Sequence, residues 1–190
     1  MESLMSGVML RLDLNENLLA DRIEYGIPGG EIRRLIVKVL PEAAERVISA
    51  AAREDIDEWE EFESEVEWDC PGGGHITLPS DFLRLVSFRM SDWKRSVCHV
   101  ISPDSEEYQL RFWPRSDRLY IRKTPAVAII PGLRRKELQF IGSTDPSAYP
   151  EICCYLSRPD SAEDGFLRIP RSLRARVEEE AARMVKAVLE

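Results

Sequence analysis

The sequence predicts an α+β fold in which a small antiparallel sheet of about five to seven strands is flanked by N-terminal helices and a C-terminal helix. Apolar residues recur at helical spacing near both ends of the chain, over residues 31–52 and 170–189. Between them, short apolar or alternating segments separated by proline and glycine clusters are typical of strands. The 190 residues suffice to bury a core without disulfide bonds.

The first 30 residues are predicted to form an arm that precedes a main domain of residues 31–190. Leucines alternate with charged side chains over residues 8–14, which favours a short strand or an extended segment. An asparagine then provides a cap for a helix over residues 16–25. The Gly-Ile-Pro-Gly-Gly cluster at 26–30 indicates a hinge.

Two short helices are predicted to follow the hinge. The first covers residues 31–40 and ends before Pro41, because the residue preceding a proline avoids helical dihedral angles. The second begins at Pro41, which suits the first helical position, and continues to residue 52. A last helix begins at Pro170, and its apolar stripe should return to the N-terminal helices.

Residues 54–69 are strongly acidic, and in their second half acids alternate with larger side chains. The acids are Glu61, Glu63, Glu65 and Glu67, and the alternating residues are Phe62, Ser64, Val66 and Trp68. A strand with one solvated face requires this alternation, whereas the alternative, a divalent-metal or catalytic carboxylate cluster, requires convergent acids. The glycine-rich turn at 70–74 should pair a strand over 62–69 with one over 75–78 in a β-hairpin.

A turn that contains a proline occupies the centre of the chain. The strand over 75–78 ends at Pro79, which lacks a donor for the next ladder hydrogen bond. Ser80 and Asp81 can accept hydrogen bonds from nearby backbone N–H groups and so stabilise a turn. Residues 82–90 are almost wholly apolar, which favours a buried strand, with a short helix as the alternative.

The remaining elements are shorter. They are a strand over 94–100, a short helix over 103–110, a hairpin of strands 126–130 and 137–141, and a last strand over 151–157.

The central turn also carries a family resemblance. The string that carries it is Leu78-Pro79-Ser80-Asp81-Phe82-Leu83-Arg84-Leu85-Val86, followed by Ser91-Asp92-Trp93-Lys94-Arg95 and by Ser102-Pro103 with Tyr108. A helix start at Leu40-Pro41-Glu42-Ala43 precedes this string. The order of these segments resembles the core signature of head–tail connector proteins of tailed phages and prophages, the adaptor and tail-tubular type of ring subunit. The resemblance extends from about Ile32 to the C-terminus.

The resemblance implies a structural protein of the phage neck. Copies of the chain would form a ring, dodecameric to match the portal, between the portal protein and the tail and neck proteins, with transient non-specific contact with passing DNA. The chain would be made in the host cytoplasm and reside in the virion, with no membrane contact. The motif residues that would serve as interface positions are Leu78, Pro79, Asp81, Phe82, Leu83, Arg84, Trp93, Lys94 and Arg95.

The charge is unevenly distributed along the chain. The net charge is −8, made up of −11 over residues 1–69, +5 over 70–140 and −2 over 141–190. Such polarity lets identical subunits attract head to tail. An acidic channel wall would repel DNA phosphates, so Glu61, Glu63, Glu65 and Glu67 are candidate channel-facing residues.

A basic section interleaved with aromatic residues follows the short helix. Its bases are Arg111, Arg115, Arg118, Arg122 and Lys123, and its aromatic residues are Phe112, Trp113 and Tyr120. This composition fits either contact with an acidic partner subunit or a nucleic-acid surface. A prophage-encoded DNA-binding protein and a non-viral cytosolic interaction module are therefore the alternative functions.

No catalytic, metal-binding or cofactor-binding residues are predicted. The cysteines at 70, 98, 153 and 154 are too scattered for a disulfide framework, and the vicinal pair should pack on the last strand. Cys70, His75, Cys98 and His99 could supply zinc ligands, but no Cys-x-x-Cys spacing occurs. Hydrolase, phosphate-loop and metalloprotease motifs are absent, so the enzymatic alternative is a metal-dependent nuclease that uses the acids of 58–69.

Overall fold

The structure, a computed structural model, describes residues 2–12, 29–112, 124–132, 135–159 and 167–189. The chain divides into two compact units. The helical unit comprises Met1–Glu58 and Ser157–Glu190, and the sheet unit comprises Trp59–Leu156. The boundary expected at residue 30 between an arm and a main domain stays a prediction.

Four helices and eight strands occur in the described residues, and the α+β class with N-terminal helices and a C-terminal helix is confirmed. The helices are α1 (Glu2–Arg11), α2 (Gly29–Ala50), α3 (Glu106–Phe112) and α4 (Arg174–Leu189). The strands are β1 (Glu60–Glu61), β2 (Glu67–Cys70), β3 (Gly73–Thr77), β4 (Phe82–Met90), β5 (Val100–Ile101), β6 (Ala126–Pro131), β7 (Lys136–Ile141) and β8 (Pro150–Ser157).

The apolar face of α2 forms the centre of the helical unit. This helix packs against α4, and α4 also packs against α1, so the predicted return of the C-terminal helix is confirmed. The buried side chains of α2 recur every three or four residues, and those of α4 do the same. They are Ile32, Ile36, Leu40, Ala43, Val47, Val177, Ala181 and Val185. Each large aliphatic side chain buried in this way contributes about 1.5–3 kcal/mol.

The helical unit corrects two predictions made from the sequence. Residues 31–52 do not form two helices, because α2 runs through Pro41 without a break. The buried stripe of α2 keeps its helical period on both sides of the proline, and burial of that whole stripe outweighs the local cost. Near the N-terminus, α1 covers residues 8–11 of the expected strand or extended segment, since Leu4, Val8 and Leu12 lie four residues apart and are all buried, and residues 13 and 14 lie outside the described residues. The helix expected over 16–25 lies outside the described residues.

The sheet unit contains two sheets where the sequence predicted one. The three-stranded sheet has the order β1-β8-β4, and the five-stranded sheet has the order β2-β3-β7-β6-β5. All pairs in the larger sheet are antiparallel except β5 with β6, which is parallel. Pairing between distant strands produces this division, and strand patterns alone do not specify such pairing.

Several predicted strands are confirmed with small shifts. These are β4, the β6–β7 hairpin, β8 and the hairpin formed by β2 and β3. The β2–β3 turn lies at Pro71–Gly72, where Gly72 has a φ of +84°, a value that favours glycine. The short helix after Pro103 is confirmed as α3.

Two predicted strands are wrong in extent. Residues 62–66 form no ladder, although Phe62 N–H still donates to the carbonyl of Cys153 at 3.1 Å. Between residues 94 and 100, Val97 alone bridges to Phe88, and regular pairing resumes only at β5. Phe62, Ser64 and Val66 are half-buried and alternate with exposed glutamates, whereas residues 94–100 show no such alternation.

The core of the sheet unit is aromatic. Phe88, Trp93 and Phe140 are buried, and their ring centroids lie 5.5 to 6.3 Å apart. Aliphatic side chains from β3 and β7, including Ile76 and Leu138, fill the space around them. Edge-to-face contacts of this kind add about 0.5–1.5 kcal/mol per pair to area burial.

Candidate interaction surfaces

The motif that carries the family resemblance is first of all a folding element. Leu78 and Phe82 are buried on either side of the turn that joins β3 to β4. Phe82 N–H donates to the carbonyl of Pro79 at 3.1 Å, which closes the turn. The Asp81 carboxylate accepts a hydrogen bond from the Tyr155 hydroxyl at 3.2 Å and ties the turn to β8.

Tyr155 connects the motif turn to the acidic strand β1. Its hydroxyl lies 3.2 Å from carboxylate oxygens of both Asp81 and Glu60, so it can donate to either. Burial, followed by the charges of Asp81 and Glu60, raises the pKa of Tyr155, and the phenol therefore keeps its proton. Its ring stacks on Phe82 and meets Phe62 edge-on, with centroids 5.8 and 5.5 Å away. The chain just after β1 is thereby held on a rigid support.

Asp92, next to the buried Trp93, anchors a distant loop. Its Oδ2 accepts from the backbone N–H of Thr144 at 2.6 Å and of Asp145 at 3.3 Å. The hydroxyls of Ser143 and Thr144 lie 3.1 and 3.2 Å from the same oxygen. The sequence alone did not indicate this role, because 51–53 residues separate Asp92 from its partners.

Exposure divides the predicted motif residues into three groups. Leu78, Phe82 and Trp93 are buried, and the half-buried members are Pro79, Asp81, Leu83 and Arg84. Lys94 and Arg95 are exposed and are therefore the members best placed to contact a partner. The interface role of the motif stays a prediction.

The predicted acidic residues form what we call the acidic row: Glu61, Glu63 and Glu65. All three are exposed, while Phe62, Ser64 and Val66 between them are half-buried. Within the described part of the chain, none of these three carboxylates forms an ion pair. Glu67, the fourth predicted acid, instead lies 3.4 Å from His75. With respect to the described residues, the acidic row thus presents uncompensated negative charge to solvent.

An open groove adjoins the acidic row. Glu61 and Glu63 line one wall, and Tyr149 and Glu151 line the other. Tyr149 is 61% exposed, whereas the Glu151 carboxylate pairs with Arg89 at 2.9 Å. Exposed aromatic side chains such as Tyr149 are enriched at protein interaction surfaces relative to the rest of the surface.

Only one of the predicted basic residues lies in the described part of the chain. Arg111 is in the last turn of α3, where its Nε lies 3.0 Å from the Glu107 carboxylate. Next to it, Phe112 stacks on Tyr108 with centroids 4.8 Å apart. The other bases, Arg115, Arg118, Arg122 and Lys123, lie outside the described residues, so the partner of this section stays a prediction.

Two of the residues weighed as zinc ligands have carboxylates or solvent as their surroundings. His75 lies between Asp69 and Glu67, and Cys70 is exposed. Burial and the neighbouring Cys154 thiol raise the pKa of Cys153 to about 12, so this thiol stays protonated near neutral pH. In the described ranges, no group of three His, Cys, Asp or Glu side chains is arranged to hold a metal ion.

No helix among the described residues is long and apolar enough to cross a membrane. A scan of the sequence against protein-family models and a search of curated proteins both find no match.

Proposed function

We propose that this chain is a structural subunit of the neck of a tailed phage. Copies form a ring, dodecameric to match the portal, between the portal protein and the tail proteins, and leave a channel for DNA. The subunit acts through its shape and charge and uses neither a cofactor nor a catalytic residue. The resemblance of the sequence to head–tail connectors is the origin of this proposal.

The acidic row is the observation that carries the proposal. Its three carboxylates point outward without cations in the described part of the chain, on a segment that Phe62 and Tyr155 fix in place. Uncompensated carboxylates are unfavourable for binding nucleic acid, but they suit a channel wall that DNA must pass without adhering. We place the acidic row at or beside that channel.

The charge distribution supports ring closure. Residues 1–69 carry −11 and residues 70–140 carry +5, so a positive region of one copy can meet a negative region of the next. Such heterologous contacts close into a ring when the rotation between copies is fixed. Exposed Lys94 and Arg95 lie in the positive region and are suited to such a contact.

Imaging of particles from the phage or prophage that encodes the chain tests the proposal directly. The expected result is a ring of this chain between portal and tail, identified by a fused tag or by fitting of β4 and the aromatic core into density. Particles with a complete neck that lacks this chain would contradict the proposal.

Charge reversal of the acidic row tests its assigned role. The triple variant Glu61→Lys, Glu63→Lys and Glu65→Lys should fold normally, because exposed substitutions usually change stability by about 0.5 kcal/mol or less. At 50 mM salt it should bind a 30-base-pair duplex at least about ten-fold more tightly than the wild type, because the introduced lysines release counterions from the DNA. At 200 mM salt this binding should be lost. Fluorescence anisotropy of labelled duplex measures both effects.

A matched variant makes the same change in charge elsewhere. Glu31→Lys, Glu45→Lys and Glu179→Lys replace three exposed acids of the helical unit. In particles, this control should retain packaged DNA, whereas the acidic-row variant should lose DNA retention or ejection. Equal infectivity of the acidic-row variant and the wild type would remove the channel assignment. Tight, salt-sensitive binding of duplex by the wild type would instead favour a DNA-binding protein.

A further inference from the structure

A histidine on the sheet unit is held between two carboxylates of the neighbouring strand. The ring of His75, in β3, has its Nδ1 3.0 Å from Asp69 Oδ2 and its Nε2 3.4 Å from Glu67 Oε2. Glu67 lies directly opposite His75 in the β2–β3 ladder. Ionised carboxylates only accept hydrogen bonds, so both ring nitrogens must carry a proton to satisfy both contacts. The geometry therefore fits the imidazolium form.

Groups on β7 and its turn complete the surroundings of His75. Glu137 lies opposite the neighbouring Thr77, and Gln139 lies opposite His75 itself. Gln139 Oε1 accepts from the Tyr108 hydroxyl of α3 at 2.6 Å. Glu137 and Arg135 line a shallow groove with His75 and Glu67, and they are the charged groups of β7 and its turn there. Among the described residues, three carboxylates therefore face two cations when His75 is protonated and Arg135 alone when it is neutral.

Partial burial lowers the pKa of His75, but the hydrogen bond that its ring donates to Asp69 and the charges of Asp69, Glu137 and Glu67 together raise the pKa above its ordinary value of 6.5. Because the folded value lies above the unfolded one, the contribution to stability is complete below about pH 6.5. It is lost as the pH rises through the folded pKa. The imidazolium contacts therefore weaken as the histidine loses its proton.

β2 depends heavily on these contacts. It is a four-residue edge strand whose side chains are all exposed, and its ladder with β3 is irregular between Trp68 and Cys70. Among the described residues, its one aromatic contact is Trp68 edge-on to Phe140, with centroids 5.5 Å apart. Loss of β2 would leave the backbone of β3 as a new, unpaired sheet edge, which is a ready template for another strand.

We propose that His75 is a pH-sensitive latch that holds the edge strand β2 on β3 at low pH and releases it as the pH rises. The latch concerns this hairpin alone and does not depend on the neck assignment. Its consequence is a second state of the sheet unit in which the edge of β3 can accept a strand from a partner.

Hydrogen exchange of the full chain tests the latch. Between pH 6 and 8.5, after correction for the intrinsic exchange rate, protection of the β2 and β3 amides should fall by about three-fold, the range expected for partly exposed ion pairs. Amides of Val127 and Ala128 in β6, which are fully buried, should keep their protection and serve as the internal reference. His75→Gln should remove the pH dependence.

The chain offers a matched control, because its other histidine, His99, is exposed. His99→Gln should respond to pH as the wild type does, and it also assigns the two imidazole signals in proton NMR. The His75 signal should titrate with a midpoint above 6.5. Glu67→Gln, which alters an exposed side chain and should leave the fold intact, is expected to reduce the pH response by about half. A midpoint at or below 6.5, or an unchanged response in His75→Gln, would overturn the latch.

Discussion

Replacement of Trp93 by alanine lowers the free energy of unfolding by about 3–5 kcal/mol, the range for large aromatic side chains in cores. Trp93 is only 5% exposed, and its ring meets both Phe88 and Phe140 edge-on. Removal of the indole leaves a cavity that these two rings cannot fill without leaving their own contacts. Denaturant unfolding followed by far-ultraviolet circular dichroism measures the change.

The two residues that follow Trp93 provide the control. Lys94→Ala and Arg95→Ala alter exposed side chains of the same motif and should change stability by about 0.5 kcal/mol or less. Trp93→Phe should cost about 1–2 kcal/mol, because the aromatic contacts persist and the lost indole N–H has no acceptor among the described residues. If Trp93→Ala kept the wild-type stability but prevented assembly, Trp93 would be an interface residue rather than a core residue.

Elements with a strong local signal were predictable from the sequence. β4 is a largely apolar run between two turns, and the apolar β6 is followed at Gly132 by the turn to β7, with Pro131 paired to Lys136 at the end of the ladder. The stripe of α4 repeats at helical spacing over its whole length. In these cases burial on one face and local turn chemistry favour the same structure, so neighbours in sequence suffice to determine the element.

Pairing between distant segments was not predictable. The exposure of the acidic row follows from its alternation, yet the ladder forms only at Glu60 and Glu61, although β8 continues to Pro150 beyond the last pair at Cys154. The two-sheet division, the parallel β5–β6 pair and the Asp92 anchor all depend on contacts across tens of residues. Period-two patterns report which face is buried and carry no information on which strand lies alongside.

The candidate sites show the same limit. The solvent-facing acids of the acidic row could be predicted, while the channel that they are proposed to line depends on other copies of the chain. His75 was weighed as a metal ligand because Cys70 is near in sequence, but β2–β3 pairing places Glu67 opposite it and Asp69 beside it. The sequence did contain one indication of this pairing, the short turn between β2 and β3. The length of such a turn determines which residues of a hairpin lie opposite each other.

Replacement of the proline inside α2 is the second change with a large expected effect, and that effect is a gain in stability. Pro41→Ala should raise the free energy of unfolding by about 2 kcal/mol: a helix-interior proline costs about 3 kcal/mol relative to alanine, partly offset by its rigidity in the unfolded chain. Alanine restores an N–H donor for the carbonyl of Val37, one turn earlier. The Val37 residue is 43% exposed, so water can reach this side of the helix and limits the present cost. Thermal and denaturant unfolding measure the gain.

Glu45→Ala is the control for Pro41→Ala, because Glu45 is an exposed residue of the same helix. It should change stability by only a few tenths of a kcal/mol, since glutamate and alanine have similar helix propensities. Hydrogen exchange should show increased protection in Pro41→Ala for the amides on both sides of position 41, where the buried stripe of α2 packs against α4. A loss of stability in Pro41→Ala would mean that the half-buried proline ring contributes more by packing than it costs in helix geometry.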